Sequence, residues 1–99
     1  MTLTQHLRTL ADTQPNGPVG PRQRGTVAGL IEDLFVDHAE LRRKYLILRA
    51  FDVDSVKKLQ PCQVRAFLAW LNPVRDSDGR VWPCADAAQD VRAFEAAIN

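Results

Sequence analysis

The residues that could carry chemistry in this sequence are few and widely spaced. The two cysteines, Cys62 and Cys84, stand 22 positions apart, and the two histidines are His6 and His38. Cys62 follows Pro61 at the predicted start of a helix, where the partial positive charge of the helix end favours a thiolate nucleophile. Burial as a small apolar residue is the favoured interpretation of Cys62.

The motifs that accompany catalysis or metal binding do not occur in the chain. It contains no G-x-S-x-G, H-E-x-x-H, P-loop or glycine-rich nucleotide fingerprint. Asp76 and Asp78 could bind a cation, but the segment lacks the twelve-residue calcium loop and its terminal glutamate, so a turn is favoured. We therefore expect a protein that is not an enzyme and that uses no cofactor and no metal.

Cysteine use and hydropathy predict a cytoplasmic protein. No signal-peptide pattern is found at the beginning of the sequence, and no apolar run approaches the roughly 20 residues that span a bilayer. Without a secretory signal, Cys62 and Cys84 are expected to be free thiols rather than a disulfide.

Charge is the most marked asymmetry of the chain. Residues 42–65 contain seven basic and two acidic residues, whereas residues 76–99 contain two basic and five acidic ones, and the whole chain has a net charge of only +1. The basic side chains could meet phosphates or an acidic protein face, or could form a solvated helix surface. These residues are Arg42, Arg43, Lys44, Arg49, Lys57, Lys58 and Arg65.

Three aromatic residues are candidate anchors for a protein partner: Tyr45, Trp70 and Trp82. Tyr45 lies in an unusually apolar helical segment, where it clusters with Leu41 and Leu48 on a helical wheel. Other apolar residues surround most of the remaining circumference. This helix is therefore central to the fold, or its second face meets another molecule.

The elements that must position these residues form a single domain over residues 1–99, the size of one core. A first helix is predicted over residues 1–12 and a linker over residues 13–20, followed by a helical core over residues 21–99. The stretch from Thr13 to Pro21 holds three prolines and two glycines, which leaves the first helix free to pack loosely or to reach a partner.

Helix boundaries follow from capping residues and prolines. Pro21 suits the first position of a helix that runs to about Phe35. Asp37 and Glu40 have the spacing of a capping box for the next helix. A single turn capped by Ser55 should then precede a helix that restarts at Pro61.

The last third of the chain should contain a hairpin or ordered loop and a closing helix. The helix from Pro61 is expected to end before Pro73. An Asp78-Gly79 turn between short β-prone ends predicts the hairpin or loop, and Asp86 can cap the last helix. The predicted fold class is thus all-α, a small bundle of four to five helices.

The segment of residues 39–71 contains Phe51, Val53, Ser55, Lys57, Leu59, Gln63, Trp70 and Leu71. Through these residues it resembles a small helical segment found in phage and mobile-element DNA-metabolism proteins, including single-strand annealing proteins and phage regulators. It implies a setting near DNA transactions and attaches no activity.

Together these features predict a protein-binding module without catalysis, acting as a phage or bacterial mobile-element accessory, regulatory or inhibitor protein. The alternative is binding of DNA or RNA through the basic residues between Arg42 and Arg65. A homodimer is a further alternative for the partner, and no membrane interaction is expected.

Overall fold

The computed structural model describes residues 1–98, and of Ile98 it describes the backbone alone. Over these residues the chain forms five α-helices, a 3₁₀ turn and a two-stranded hairpin placed before the last helix. This confirms the predicted all-α bundle. In chain order the elements are α1 (Leu3–Thr13), α2 (Pro21–Glu32), α3 (Ala39–Phe51), the 3₁₀ turn (Val56–Lys58), α4 (Pro61–Leu71), β1 (Val74–Arg75), β2 (Val81–Trp82) and α5 (Ala85–Ile98).

One hydrophobic core joins all five helices and the 3₁₀ turn. Phe67 of α4 is fully buried and makes edge-to-face contacts with Phe51 and Trp70, at ring-centroid distances of 5.6 Å and 6.4 Å. Leu71 is also fully buried, as the apolar stripe of α4 predicts. The other large core side chains are Leu7, Val27, Leu30, Ile31, Phe35, Leu46, Ile47, Val56, Leu59, Val64 and Val91.

Helix α1 packs on the core instead of projecting from it. Leu7 and Ala11 are buried, and α1 lies against α3 and α4. Thr2 begins the helix with a capping box, in which its hydroxyl accepts from the Gln5 amide and the Gln5 side chain accepts from the Thr2 amide. The expectation of a loosely packed first helix is therefore wrong.

The start of α3 and the end of α2 differ from the prediction. Helix α2 ends at Glu32, and Phe35 lies in the following turn, where its amide donates to the Glu32 carbonyl. Helix α3 begins after His38, which adopts a left-handed conformation (φ 53°) and makes no side-chain cap. The predicted capping box of Asp37 and Glu40 is wrong, because the chain reverses at His38 before the helix begins.

The boundaries around α4 agree with the sequence prediction. Ser55 caps the 3₁₀ turn by accepting a hydrogen bond from the Lys57 amide. Pro61 occupies the first turn of α4, where a missing N–H costs nothing. At the other end, Asn72 is left-handed (φ 39°) and terminates the helix before Pro73.

The hairpin connects α4 to α5. Its two strands are antiparallel, with Val74 opposite Trp82 and Arg75 opposite Val81. Gly79 takes a positive φ of 82° in the turn, a conformation that glycine adopts without strain. Helix α5 begins at Ala85, so Asp86 lies in its first turn and is not its N-cap.

Replacement of Phe67 by alanine should lower the free energy of unfolding by about 3–5 kcal/mol, because it empties a fully buried ring site between two other aromatic rings. Reversible urea unfolding measures this loss. The exposed Gln89 of α5, changed to alanine, is the control and should shift stability by less than about 0.5 kcal/mol. A loss below about 1 kcal/mol for Phe67→Ala would contradict the central position of this ring.

Candidate functional site

Two of the basic residues of α3 are bound to carboxylates of other helices. Arg42 forms an ion pair with Glu95 of α5. Arg43 donates to Glu32 of α2 at 2.7 Å, and its side chain is 18% exposed. Both guanidinium groups therefore link helices of the bundle and are only partly open to another molecule.

Arg65 holds the proline-rich linker on the surface of α4. Its Nη1 donates to the carbonyls of Pro15 and Gly17 at 2.8 Å and 2.5 Å, and its Nη2 donates to Pro18 at 3.1 Å. Asn16 completes the contact, because its side-chain oxygen accepts from the Cys62 amide at 3.0 Å in the first turn of α4. Arg65 is thus a structural residue as well as a predicted site residue.

Two lysines form exposed ion pairs with residues four positions away. Lys44 lies 3.2 Å from Glu40, and Lys58 lies 2.8 Å from Asp54. The hydrogen bond and the charge of Lys58 lower the pKa of Asp54. Such pairs contribute little to stability and break readily, so these lysines stay accessible.

Arg49 and Lys57 are the last two of the seven predicted basic residues. Over residues 1–98, neither side chain has a carboxylate within 4.0 Å, and both residues are exposed. The structure therefore divides the predicted basic residues into three guanidiniums bound internally, two lysines in surface pairs and two cations without such a partner.

The three aromatic candidates occupy different environments. Trp70 is 5% exposed, and its indole N–H donates to Asp90 at 2.8 Å. The burial of Trp70 corrects its prediction as a surface anchor. Trp82 is exposed in the hairpin, with the Arg80 guanidinium 3.9 Å from the centre of its ring. Tyr45 is 37% exposed and packs against Phe94 of α5, with ring centroids 5.9 Å apart.

Leu41, Tyr45 and Leu48 form an exposed apolar stripe on α3, called here the α3 face. Leu41 is 68% exposed and Leu48 is 44% exposed, whereas Leu46 and Ile47 on the other side of the helix are fully buried. The spacing of i, i+4 and i+7 places the three side chains in one row. The structure thus shows that this helix is central to the fold, with one side in the core and the other side open.

A groove of about 320 Å³ adjoins the α3 face. Phe94, which contacts Tyr45, forms part of its wall, and Arg49 and Asp90 supply charge. The other lining residues are Met1, Thr2, Leu3, Thr4, Ala93 and Ala97. Helical periodicity indicated the stripe on α3, but the groove depends on the packing of α1 and α5 beside it, which no local pattern predicts.

The cysteines and histidines lie at separate places in the fold. Both cysteines are free, and the Cys84 thiol lies 3.7 Å from the Trp70 carbonyl. His38 is exposed at the turn before α3, and His6 is half-buried in α1. Within the part of the chain that the structure describes, no three histidine, cysteine or acidic residues are grouped so that they could hold a metal ion.

Asp76 organises the hairpin turn. One carboxylate oxygen accepts from the amides of Asp78 and Arg80 at 2.9 Å each, and the other accepts from the Trp82 indole at 2.8 Å. The indole hydrogen bond, followed by those from the backbone, lowers the pKa of Asp76. The turn favoured by the sequence is therefore built on this carboxylate.

Comparison of the chain with protein-family models, curated proteins and solved structures found no match. Among the helices of residues 1–98, none is both long enough and apolar enough to cross a bilayer.

Replacement of Arg65 by methionine should release the linker and loosen α1. The change removes charge-assisted hydrogen bonds to backbone carbonyls and should cost about 1–3 kcal/mol. Hydrogen exchange should accelerate at the α1 amides more than at those of α4. Arg22→Met is the matched control, because the exposed Arg22 guanidinium makes no hydrogen bond to the described residues. Equal exchange of α1 in the two variants would contradict the anchoring role.

The hairpin should respond to acid through Asp76. Because its pKa is lowered in the folded protein, its contribution is complete above the ordinary aspartate pKa and is lost as the pH falls through the lowered value. An NMR titration of the Trp82 indole N–H should show a midpoint below about 3.9. In Asp76→Asn this transition should vanish. A midpoint at or above the ordinary value would contradict the hydrogen-bonded arrangement.

Proposed function

We propose that this protein is a protein-binding module that receives an amphipathic helix of its partner on the α3 face and the adjoining groove. The observation that carries the proposal is the row of Leu41, Tyr45 and Leu48, exposed on a helix whose other side is buried in the core. Single exposed apolar residues are common on proteins, but a contiguous apolar row beside a groove is typical of an interaction site.

The dimensions of this surface suit a helix. Leu41 and Leu48 are seven positions apart, or about 10 Å along the axis of α3. A partner helix with apolar residues at i, i+3 or i+4, and i+7 would match that row in the manner of helix-in-groove recognition. Tyr45 at its centre is one of the residue types that are enriched at binding hot spots, and the ring packs against Phe94.

Charge favours an acidic partner segment. Arg49 follows Leu48, lines the groove and has no carboxylate within 4.0 Å in the described residues. A carboxylate on the partner helix would supply one. A pair at the rim of an interface contributes more to orientation and association rate than to affinity.

Nucleic-acid binding is less well supported. Arg42, Arg43 and Arg65 bind groups of this protein itself, which leaves fewer cations for phosphates than the sequence indicates. The resemblance of residues 39–71 supports a setting near DNA transactions in a phage or mobile element, where the protein would act on another protein as an accessory factor, regulator or inhibitor. The free thiols of Cys62 and Cys84 support a reducing location such as the cytoplasm.

A photo-crosslinking residue at Leu48 should capture the partner in living cells. We expect one discrete adduct whose crosslinked peptide is an acidic, amphipathic segment, with formation resistant to nuclease. The same probe at the exposed Gln23 should give no adduct, because α2 packs on the other side of α3. Arg49→Glu should lower the yield at least about fivefold. Arg92→Glu, a charge reversal on the exposed surface of α5, should not.

Several outcomes would contradict the proposal. An adduct with the mass of two copies would assign the α3 face to a homodimer, and absence of any adduct at Leu48 would remove the face as a binding site. Loss of the adduct after nuclease treatment would favour nucleic-acid binding. So would micromolar binding of labelled single-stranded or duplex DNA at about 50 mM salt that charge reversal at Arg49 and Lys57 abolishes.

A further inference from the structure

A second cavity of about 240 Å³ lies between the start of α2, the middle of α3 and the 3₁₀ turn. Among the described residues, three cationic side chains line it, those of Arg24, Arg43 and Lys57, and no acidic residue does. On α3, Arg43 is about 200° around the helix from Leu41, so this cavity and the α3 face lie on different sides of α3.

We propose that this cavity is a binding site for a phosphate group carried on a small molecule or a side chain. The three cations come from three separate elements and converge on one space. Since Glu32 neutralises one of these charges through Arg43, the site has a net charge of +2. That charge matches the phosphate dianion, which predominates above its second pKa of about 6.

Two of the three cations are held in position before any ligand binds. Arg24 donates through Nη1 to the carbonyls of Val56 and Leu59 at 2.8 Å and 2.7 Å, so only its other nitrogens are left for a ligand. Arg43 is held by Glu32, because its Nη1 donates to the Glu32 carboxylate at 2.7 Å. Because these side chains are already ordered, an anion would lose little affinity to the cost of ordering them.

Residues that line the cavity also have unused hydrogen-bond donors. The Nε–H of Arg43 is buried and has no acceptor among the described residues. The Ser55 hydroxyl oxygen accepts from the Lys57 amide at 3.2 Å, and within the described part of the chain its own proton has no acceptor. Lys57 likewise makes no ion pair there. Phosphate, with three terminal oxygens that accept hydrogen bonds, is suited to such a set of donors.

The size and the walls of the cavity narrow the class of ligand. At about 240 Å³ it is smaller than the sites of about 300–1,000 Å³ that enclose drug-sized molecules. Pro21, Ala28 and Val56 form an apolar wall, and a β-carbon built on Gly25 would meet no atom within 4 Å. The cavity thus has room for a phosphate and the first carbons attached to it.

NMR titration of the full chain with inorganic phosphate tests the site. At pH 7.5 we expect saturable shifts of residues around the cavity with a dissociation constant of about 1 mM or tighter. Lowering the pH to 5 should weaken phosphate binding about tenfold, because little dianion is then present. Sulfate keeps its charge of −2 and should bind equally at both pH values. Parallel titrations with a nucleoside monophosphate and with O-phosphoserine then identify which carrier of the phosphate binds more tightly.

Two matched pairs of variants distinguish specific phosphate binding in the cavity from general electrostatic attraction. Lys57→Gln should weaken phosphate binding about tenfold, whereas Lys58→Gln, at the adjacent lysine outside the cavity, should leave it unchanged. Gly25→Leu should fill the cavity and abolish binding. Gly29→Leu, on the same helix with equally open surroundings, should not. Absence of saturation up to about 10 mM phosphate, or equal effects within either pair, would overturn the proposal.

Discussion

The position of the proline-rich linker depends on the hydrogen bonds of one guanidinium, that of Arg65. Prolines 15, 18 and 21 have no N–H, so this segment cannot pair its carbonyls within a helix or sheet of its own. Arg65 instead donates hydrogen bonds to three of these carbonyls, and the side chain of Asn16 accepts a hydrogen bond from the Cys62 amide of α4. With the linker fixed in this way, α1 lies on α3 and α4, and its N-terminal residues form a wall of the groove beside the α3 face. A segment that looks like a flexible tether in the sequence is therefore part of the rigid structure.

Two other arginines also donate hydrogen bonds to backbone carbonyls of a distant segment. Arg8 donates to the carbonyls of Arg49 and Ala50 near the C-terminal end of α3, at 2.8 Å and 2.7 Å. Arg24 donates in the same way to the carbonyls of Val56, the first residue of the 3₁₀ turn, and Leu59, which follows that turn. Carbonyls at helix ends and in loops lack backbone donors, and a guanidinium offers five N–H groups in a fixed plane. Each of these arginines therefore joins elements that are distant in sequence, and it uses directed hydrogen bonds rather than paired charges. Part of the basic character of the chain is accounted for in this way.

Local signals in the sequence predicted the elements well, and tertiary contacts explain what they missed. Pro21, Ser55, Pro61 and Pro73 marked boundaries correctly, since each acts through its own backbone geometry. The start of α3 was misplaced because the left-handed turn at His38 competes with the capping box that Asp37 and Glu40 would form. For the candidate site, helical spacing indicated the row from Leu41 to Leu48. It could not show that Trp70 is buried against Asp90, 20 positions away, or that Arg42 meets Glu95, 53 positions away. Such pairings depend on how helices pack, which residue spacing within one helix does not determine.

Helix α3 is the element that the two proposed sites share, and its sequence explains how one helix can serve both. Its fully buried residues, Leu46 and Ile47, fix the helix in the core, and other residues of α3 contribute to the two sites. One side carries the apolar row around Tyr45, and the other carries Arg43, oriented by Glu32 of α2. Since the two proposed sites share no lining residue, substitutions at one should have effects nearly independent of those at the other. The apolar character of α3 around most of its circumference is thus explained by a core-facing side together with an exposed side that we propose as an interaction site, and Arg42 and Arg43 tie α3 to α5 and α2.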